Sequence, residues 1–308
     1  MSSWQFKAVD TYLRLSRALS RSSGQYNLAK DRASNEAMLS RFKALVPAER
    51  QVVSVAGLQA EWLLPPGALP ERTMLYLHGA GFVACSIKTH RSLAVNIAHA
   101  AHARALILEY RLAPEHPYPA ANQDCLSAYR WLLSEGVPAE QVIVAGDSSG
   151  GCLSLSLLLK VRDLGLPLPA LGICLSPVTD LAMRGESYAN NARSDLMLER
   201  AHLAYWFGLY LGDHDPRDPQ VSPLYAELHG LPPLFIQAGS AELLLSDSLH
   251  FTERARAAGV EVTLEILEGG QHVQQLTASL LPEGRQAISQ IGRFVEQQLH
   301  QRDAAIGS

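Results

Sequence analysis

Apolar residues recur at roughly helical spacing at the start of the chain, around Trp4, Phe6, Val9, Leu13 and Leu15 and again at Ala37, Met38, Phe42 and Leu45. This predicts helices within residues 1–46, separated by the serine-rich stretch Ser20–Gly24. The period then shortens. Gln51–Ala56 and Leu58–Leu64 read as a hairpin turning at Gly57, and Pro65, Pro66 and Gly67 end it. Further on, short apolar runs at Thr73–Leu77, Ala105–Tyr110, Val142–Ala145, Leu171–Leu175, Pro233–Ala238 and Glu261–Leu267 alternate with helix-compatible segments. With the hairpin these make eight strands. Alternating strand and helix predicts the α/β class: a mainly parallel sheet covered on both faces, with ligand sites at the carboxyl ends of its strands.

One interval breaks the alternation. Between Asp180 and Pro233 the chain stays off the sheet and carries an aromatic helical run, Leu203–Leu211. Together with the amino-terminal helices it reads as a cap above the strand ends. The cap comprises residues 1–46 and 182–217, over a core of 47–181 and 218–308 in a single domain. Tyr205, Trp206, Phe207 and Tyr210 suit plain core packing equally well.

Composition narrows the partners. Hydrophobic residues make up 47% of the 308, which suits a globular protein with a substantial core, and the net charge of -4 offers no basic field for nucleic acid or anionic membrane. Cys85, Cys125, Cys152 and Cys174 are isolated from one another, without a C-x-x-C pair for zinc or redox work. The amino terminus lacks the apolar core of a signal peptide, and no apolar run approaches membrane-spanning length. A cytoplasmic protein with a small neutral partner, neither inserted in a membrane nor bound to nucleic acid, is expected.

The chemistry centres on Val142–Gly151, V-I-V-A-G-D-S-S-G-G. A buried strand stops in a glycine-serine turn, and the leucine-rich Cys152–Val161 behind it has the length of a core helix. In strand–turn–helix order, G-x-S-x-G at Gly146, Ser148 and Gly150 is a nucleophile elbow, which pushes the serine hydroxyl out at the strand end. A bare match is also consistent with an ordinary glycine-rich loop, so the companions decide.

A serine nucleophile needs a base, an acid to orient the base, and fixed donors for the oxyanion. Leu75–Phe82, L-Y-L-H-G-A-G-F, is a strand running into a small-residue loop that can present consecutive N–H groups: Ala80 and Gly81 would supply two and Ser149 a third. A phosphate-binding turn is the alternative for this loop, but no Lys-Ser/Thr or G-x-G-x-x-G follows. Among the eleven histidines, His90, His99 and His102 fall on a predicted surface helix, His300 near the tail and His78 in the donor loop. His272 follows the eighth strand in E-G-G-Q-H-V and is best placed as base, with an exposed loop histidine as the bland reading. The acid should follow the seventh strand, where Gly239–Asp247 holds Glu242 and Asp247. Both lie within one loop, so proximity alone does not choose between them, although Asp247 also looks ready to begin or cap a helix over Ser248–Ala258.

These pieces together resemble the hormone-sensitive lipase family of bacterial carboxylesterases. The markers are H-G-A-G-F at His78, Y-R-L-A-P-E-H-P-Y-P-A-A from Tyr110, G-D-S-S-G-G at Gly146, S-P-V-T-D at Ser176 and Q-H-V at His272. The resemblance implies an eight-stranded α/β-hydrolase core, a helical cap partly built from the amino terminus, and cofactor-free, metal-free hydrolysis of short acyl esters. It implies Ser148, Glu242 and His272 as the triad and Ala80, Gly81 and Ser149 as oxyanion donors. Phe82, Tyr205, Trp206 and Val273 are the expected pocket residues, and Arg111 and Glu115 should brace a loop. It also puts strand 261–267 at the sheet edge, where its alternating Val262, Leu264 and Ile266 would let two copies pair, the alternative being that Glu261 and Glu265 protect the edge from pairing. The chain departs from the family pattern at Ala80 (usually glycine), Ser149 (usually alanine), Glu242-Leu243 (usually aspartate-proline) and Gln274 (often phenylalanine). The expectation is a serine carboxylesterase for short- to medium-chain esters. An amidase or deacetylase would use the same triad, and a ligand-binding protein on a hydrolase scaffold should have lost a triad member.

Overall fold

The computed structural model describes residues 3–19 and 26–306, so the break expected at Ser20–Gly24 lies outside the described residues. Helices α1 (Trp4–Leu19) and α2 (Leu28–Leu39) precede the hairpin of β1 (Glu49–Val55) and β2 (Leu58–Leu64). Ala56 (φ 51°) and Gly57 (φ 86°) make its turn, two successive left-handed residues of the kind that suits the twist of paired strands. Ala56 thus belongs to the turn and not to the strand. The alternation follows: β3 (Leu69–Leu77), α3 (Ile87–Ala100), β4 (Ala103–Leu108), α4 (Ala120–Ser134), β5 (Val142–Asp147), α5 (Ser149–Asp163) and β6 (Leu171–Leu175). After the off-sheet interval with α6 (Ser187–Asn190) and α7 (Arg200–Leu211), it resumes with β7 (Leu234–Gly239), α8 (Leu245–Ala257), β8 (Val262–Leu267) and α9 (Pro282–Ile306).

The strands form one sheet in the order β1-β2-β4-β3-β5-β6-β7-β8. Pairing is antiparallel from β1 to β4 and parallel from there to β8. The period-2 alternation of side chains divides the core into two layers. Val142 and Val144 join the cluster under α4 and α5, while Ile143 and Ala145 join that under α3 and α9. Because both faces are covered, β5 is buried at every residue, and its local sequence is accordingly an unbroken apolar run before the glycine.

The outer helices meet over the carboxyl ends of the strands. Asp31 Oδ2 on α2 accepts hydrogen bonds from His202 Nε2 (2.8 Å) and Trp206 Nε1 (3.2 Å) on α7, and Tyr26 stacks on His202. Arg32 forms a two-pronged pair with Glu115 and also donates to the carbonyls of Val83 and Ala113, while Arg111 pairs with Asp124. Arg111 and Glu115 therefore brace loops, as expected. The surface-helix reading of His90 and His102 does not hold. His90 is 2% exposed, with Nε2 3.3 Å from Asp147 Oδ2, because α3 packs against the sheet alongside α9; His102 lies beyond the helix end in a left-handed turn (φ 50°). Among the described residues no helix is long and apolar enough to cross a membrane.

Candidate active site

Ser148, between β5 and α5, has a conformation that belongs to neither strand nor helix. Its backbone has φ 54° and ψ -122°, strained for any residue with a side chain. The strain is held by hydrogen bonds on both sides: Ser148 N–H donates to Leu175 O (2.8 Å), and Ser148 O accepts from Val178 N–H (3.1 Å). Glycine is required at the flanking positions, since a methyl group at Gly146 would run into the Gly150 carbonyl and one at Gly150 into the Leu77 carbonyl. That close approach lets α5 begin immediately, at Ser149.

The donor loop lies alongside. After β3, Ala80 (φ 90°), Gly81 (φ 63°) and Phe82 (φ 65°) are consecutive left-handed residues, an arrangement that costs alanine and phenylalanine most. Gly79 N–H donates to Asp147 Oδ1 and Phe82 N–H to Ser149 Oγ, both at 3.2 Å, and Tyr110 OH holds the His78 carbonyl at 2.7 Å. Trp206 covers the loop so closely that any side chain at Gly81 would collide with its indole ring. The carboxyl of Asp147 is buried with the hydroxyl of Tyr76 and the imidazole of His90. Burial would raise its pKa, but these partners outweigh burial and keep it below the ordinary value. His78 is no competitor as base: burial, aided by the charge of His90, pushes it down to about 3, and it stacks on Tyr110.

His272 and Glu242 come from the loops after β8 and β7. Glu242 is fully buried; its Oε1 accepts from Gly239 N–H (3.2 Å), and its Oε2 lies 2.9 Å from His272 Nδ1. A carboxylate at Nδ1 fixes the proton there and leaves Nε2 as the basic nitrogen. Burial lowers the pKa of this imidazole, but the hydrogen bond to Glu242 and the charges of Glu242, Asp195 and Asp147 outweigh burial and raise it above the ordinary value. Asp247 is elsewhere. The helix starts at Leu245, so Asp247 lies inside its first turn and does not cap it. Its Oδ2 accepts from the Thr179 and Asp180 N–H groups (2.7 and 2.9 Å), fastening the S-P-V-T-D loop.

The expected pocket residues separate. Phe82 stacks on Tyr210 (ring centroids 3.8 Å apart) and Trp206 sits over Gly81, so both lie at the donor loop. Tyr205 stacks on Tyr26, between the outer helices. Val273 is 3% exposed within the apolar layer of α3 and α9, and its N–H donates to Ser176 Oγ.

Several supporting residues carry no local signal in the sequence. Asp195 accepts from Met197 and Leu198 N–H through Oδ1 and from Leu243 N–H through Oδ2. Asn191 Nδ2 donates to the Ser240 and Glu242 carbonyls, and Gln271 exchanges hydrogen bonds with Leu196 N–H and Ser194 O. The off-sheet segment is thereby tied to the loops of both Glu242 and His272. Nothing near 191 or 195 marks these roles, because the partners that tie this segment to the loops of Glu242 and His272 are 48 to 77 positions away.

Known proteins are similar to this chain in sequence and fold. The family model of the alpha/beta hydrolase fold matches residues 74–276. An acetyl-hydrolase of Streptomyces hygroscopicus is 42% identical over 244 residues, 79% of this chain and 81% of its own. An esterase of Acinetobacter venetianus is 32% identical over 296 residues, 94% of this chain and 96% of its own. Among solved structures, an esterase from the bacterial hormone-sensitive lipase family superposes with a TM-score of 0.91 at 42% identity, covering 97% of this chain and 99% of that one.

Proposed function

The chain belongs to the α/β-hydrolase fold family and, within it, to the bacterial hormone-sensitive lipase esterases, and from that premise we propose that it hydrolyses short- to medium-chain acyl esters with Ser148, His272 and Glu242 as its triad. Ser148 Oγ attacks the ester carbonyl while His272 Nε2 takes its proton; Glu242 holds the imidazole and stabilises its charged form. The backbone N–H groups of Ala80, Gly81 and Ser149 receive the oxyanion. The leaving alcohol departs with the proton from His272, and water, activated by the same nitrogen, then releases the acid from the acyl-serine.

The observation that carries this reading is the hydrogen bond of buried Glu242 to His272, in a site whose serine stands on a strained elbow. The test is hydrolysis of p-nitrophenyl acetate and butyrate together with labelling by a fluorophosphonate. Ser148→Ala should remain folded and lose both, and near-normal activity in that variant would overturn the assignment.

Residues 1–46 and 182–217 act as the cap in this reading, supported by the Asp31 bridge to α7 and by Trp206 over Gly81. Two copies pair through β8. That strand is an edge of the sheet, with Leu264 half-buried and Ile266 exposed. The described cysteines are free and buried, as suits a reducing cytoplasm.

A further inference from the structure

The residues immediately before and after the nucleophile each hold one end of the donor loop. Asp147 Oδ1 takes the N–H of Gly79 and Ser149 Oγ takes the N–H of Phe82, and Ala80 and Gly81 lie between these two anchors. The loop needs them. Ala80 and Phe82 are left-handed residues with side chains, a conformation that persists only where the surroundings over-determine it. Phe82 and Ser149 are both fully buried, so without the Ser149 hydroxyl the Phe82 N–H has no water to turn to.

We propose that the Ser149 side chain is a positioning residue for the oxyanion hole, distinct in its task from the Ser149 backbone. The N–H faces the reaction as a donor; the hydroxyl, as an acceptor, ties Phe82 to the first turn of α5. The distance between Ser148 Oγ and the Ala80 and Gly81 donors is then set before substrate arrives. Donors of this kind act through preorganisation, so a loop free to drift loses rate while ground-state binding is spared. Trp206 packs the loop from outside, and the hydroxyl holds it from beneath. The inference rests on the assignment of Ser148 and the donor loop made above.

The alanine variant keeps the N–H and deletes only the acceptor; Ser149→Cys keeps nearly the same shape with a much weaker acceptor. Both should lower kcat on p-nitrophenyl butyrate, per active site titrated with fluorophosphonate, by about tenfold or more, with KM within about twofold. Loss of a whole donor typically costs about a hundredfold to a thousandfold, and a displaced donor should cost less. Affinity for a trifluoromethyl ketone, which adds to the serine as a tetrahedral alkoxide, should fall by a similar factor. A purely structural hydroxyl would lower the melting temperature and the titratable fraction while leaving kcat per site and ketone affinity at wild-type values, and that result overturns the proposal. Ser148→Ala, run alongside, separates the two claims: activity surviving there removes the premise and this proposal with it.

Discussion

His272 sits between burial, which disfavours its charge, and the carboxylates of Glu242, Asp195 and Asp147, which favour it, and the balance lies above 6.5. The base works only when neutral, so kcat/KM should rise with pH through a value above 6.5; a profile whose acid limb lies below it would contradict this balance. The stability effect has the opposite sign. A raised imidazole pKa contributes stability that is complete below 6.5 and lost as pH rises through the folded value. Glu242→Gln should cut kcat by about a thousandfold to ten-thousandfold with little change in KM, as expected when the imidazole loses its tautomer. Asp247→Asn should keep kcat. Burial pushes the Asp247 carboxyl up to about 7 against the pull of its two amide partners, so its contribution to stability is present at low pH and lost as pH rises through about 7. Asparagine keeps an acceptor for both amides, and the variant should melt at or above the wild-type temperature at pH 8. The placement of Ser148, Glu242 and His272 beyond strand ends was legible because a glycine turn stands beside each. His90 and Asp195 were not: helical spacing alone does not tell which face of α3 is buried, and Asp195 acts on the Leu243 amide 48 positions away.

At the level of elements, the sheet was easiest to read where both faces are covered. The strand expected at Leu171–Leu175 is β6 residue for residue, and β5 runs only slightly past its expected end. Boundaries slipped where backbone strain, invisible to periodicity, decides them, as at Ala56 in the hairpin turn and at Ser149, where α5 begins earlier than its leucines suggest. Helix α7 was ambiguous because core and donor loop are one apolar cluster there: Trp206, Phe207 and Tyr210 are all buried with Phe82. In the proposed reading this packing roofs the site and limits the substrate. Each added methylene gains about 0.8 kcal/mol only while apolar wall remains to receive it, so rates on p-nitrophenyl esters should peak within acyl chains of about two to eight carbons. A preference for emulsified long-chain triacylglycerol would contradict the roofed site.

For the whole molecule, strand–helix alternation was enough to order the core, and the outer helices were identified by their failure to alternate. How those helices fasten to the core was not readable, since Asp31, Asn191 and Gln271 bridge segments far apart in sequence. Pairing through β8 is open to direct measurement. The wild-type protein should have the mass of a dimer at micromolar concentration, and Ile266→Lys that of a monomer, because the exposed apolar residue of an edge strand becomes a charge that blocks pairing. A monomeric wild type would end the proposal. The loop that carries His272 grows directly out of this same edge strand, whereas the nucleophile stands on β5 inside the sheet. Association would therefore brace the base and leave the serine untouched. Turnover per protomer should fall on dilution through the dissociation constant, and it should be independent of enzyme concentration in the Ile266→Lys protein.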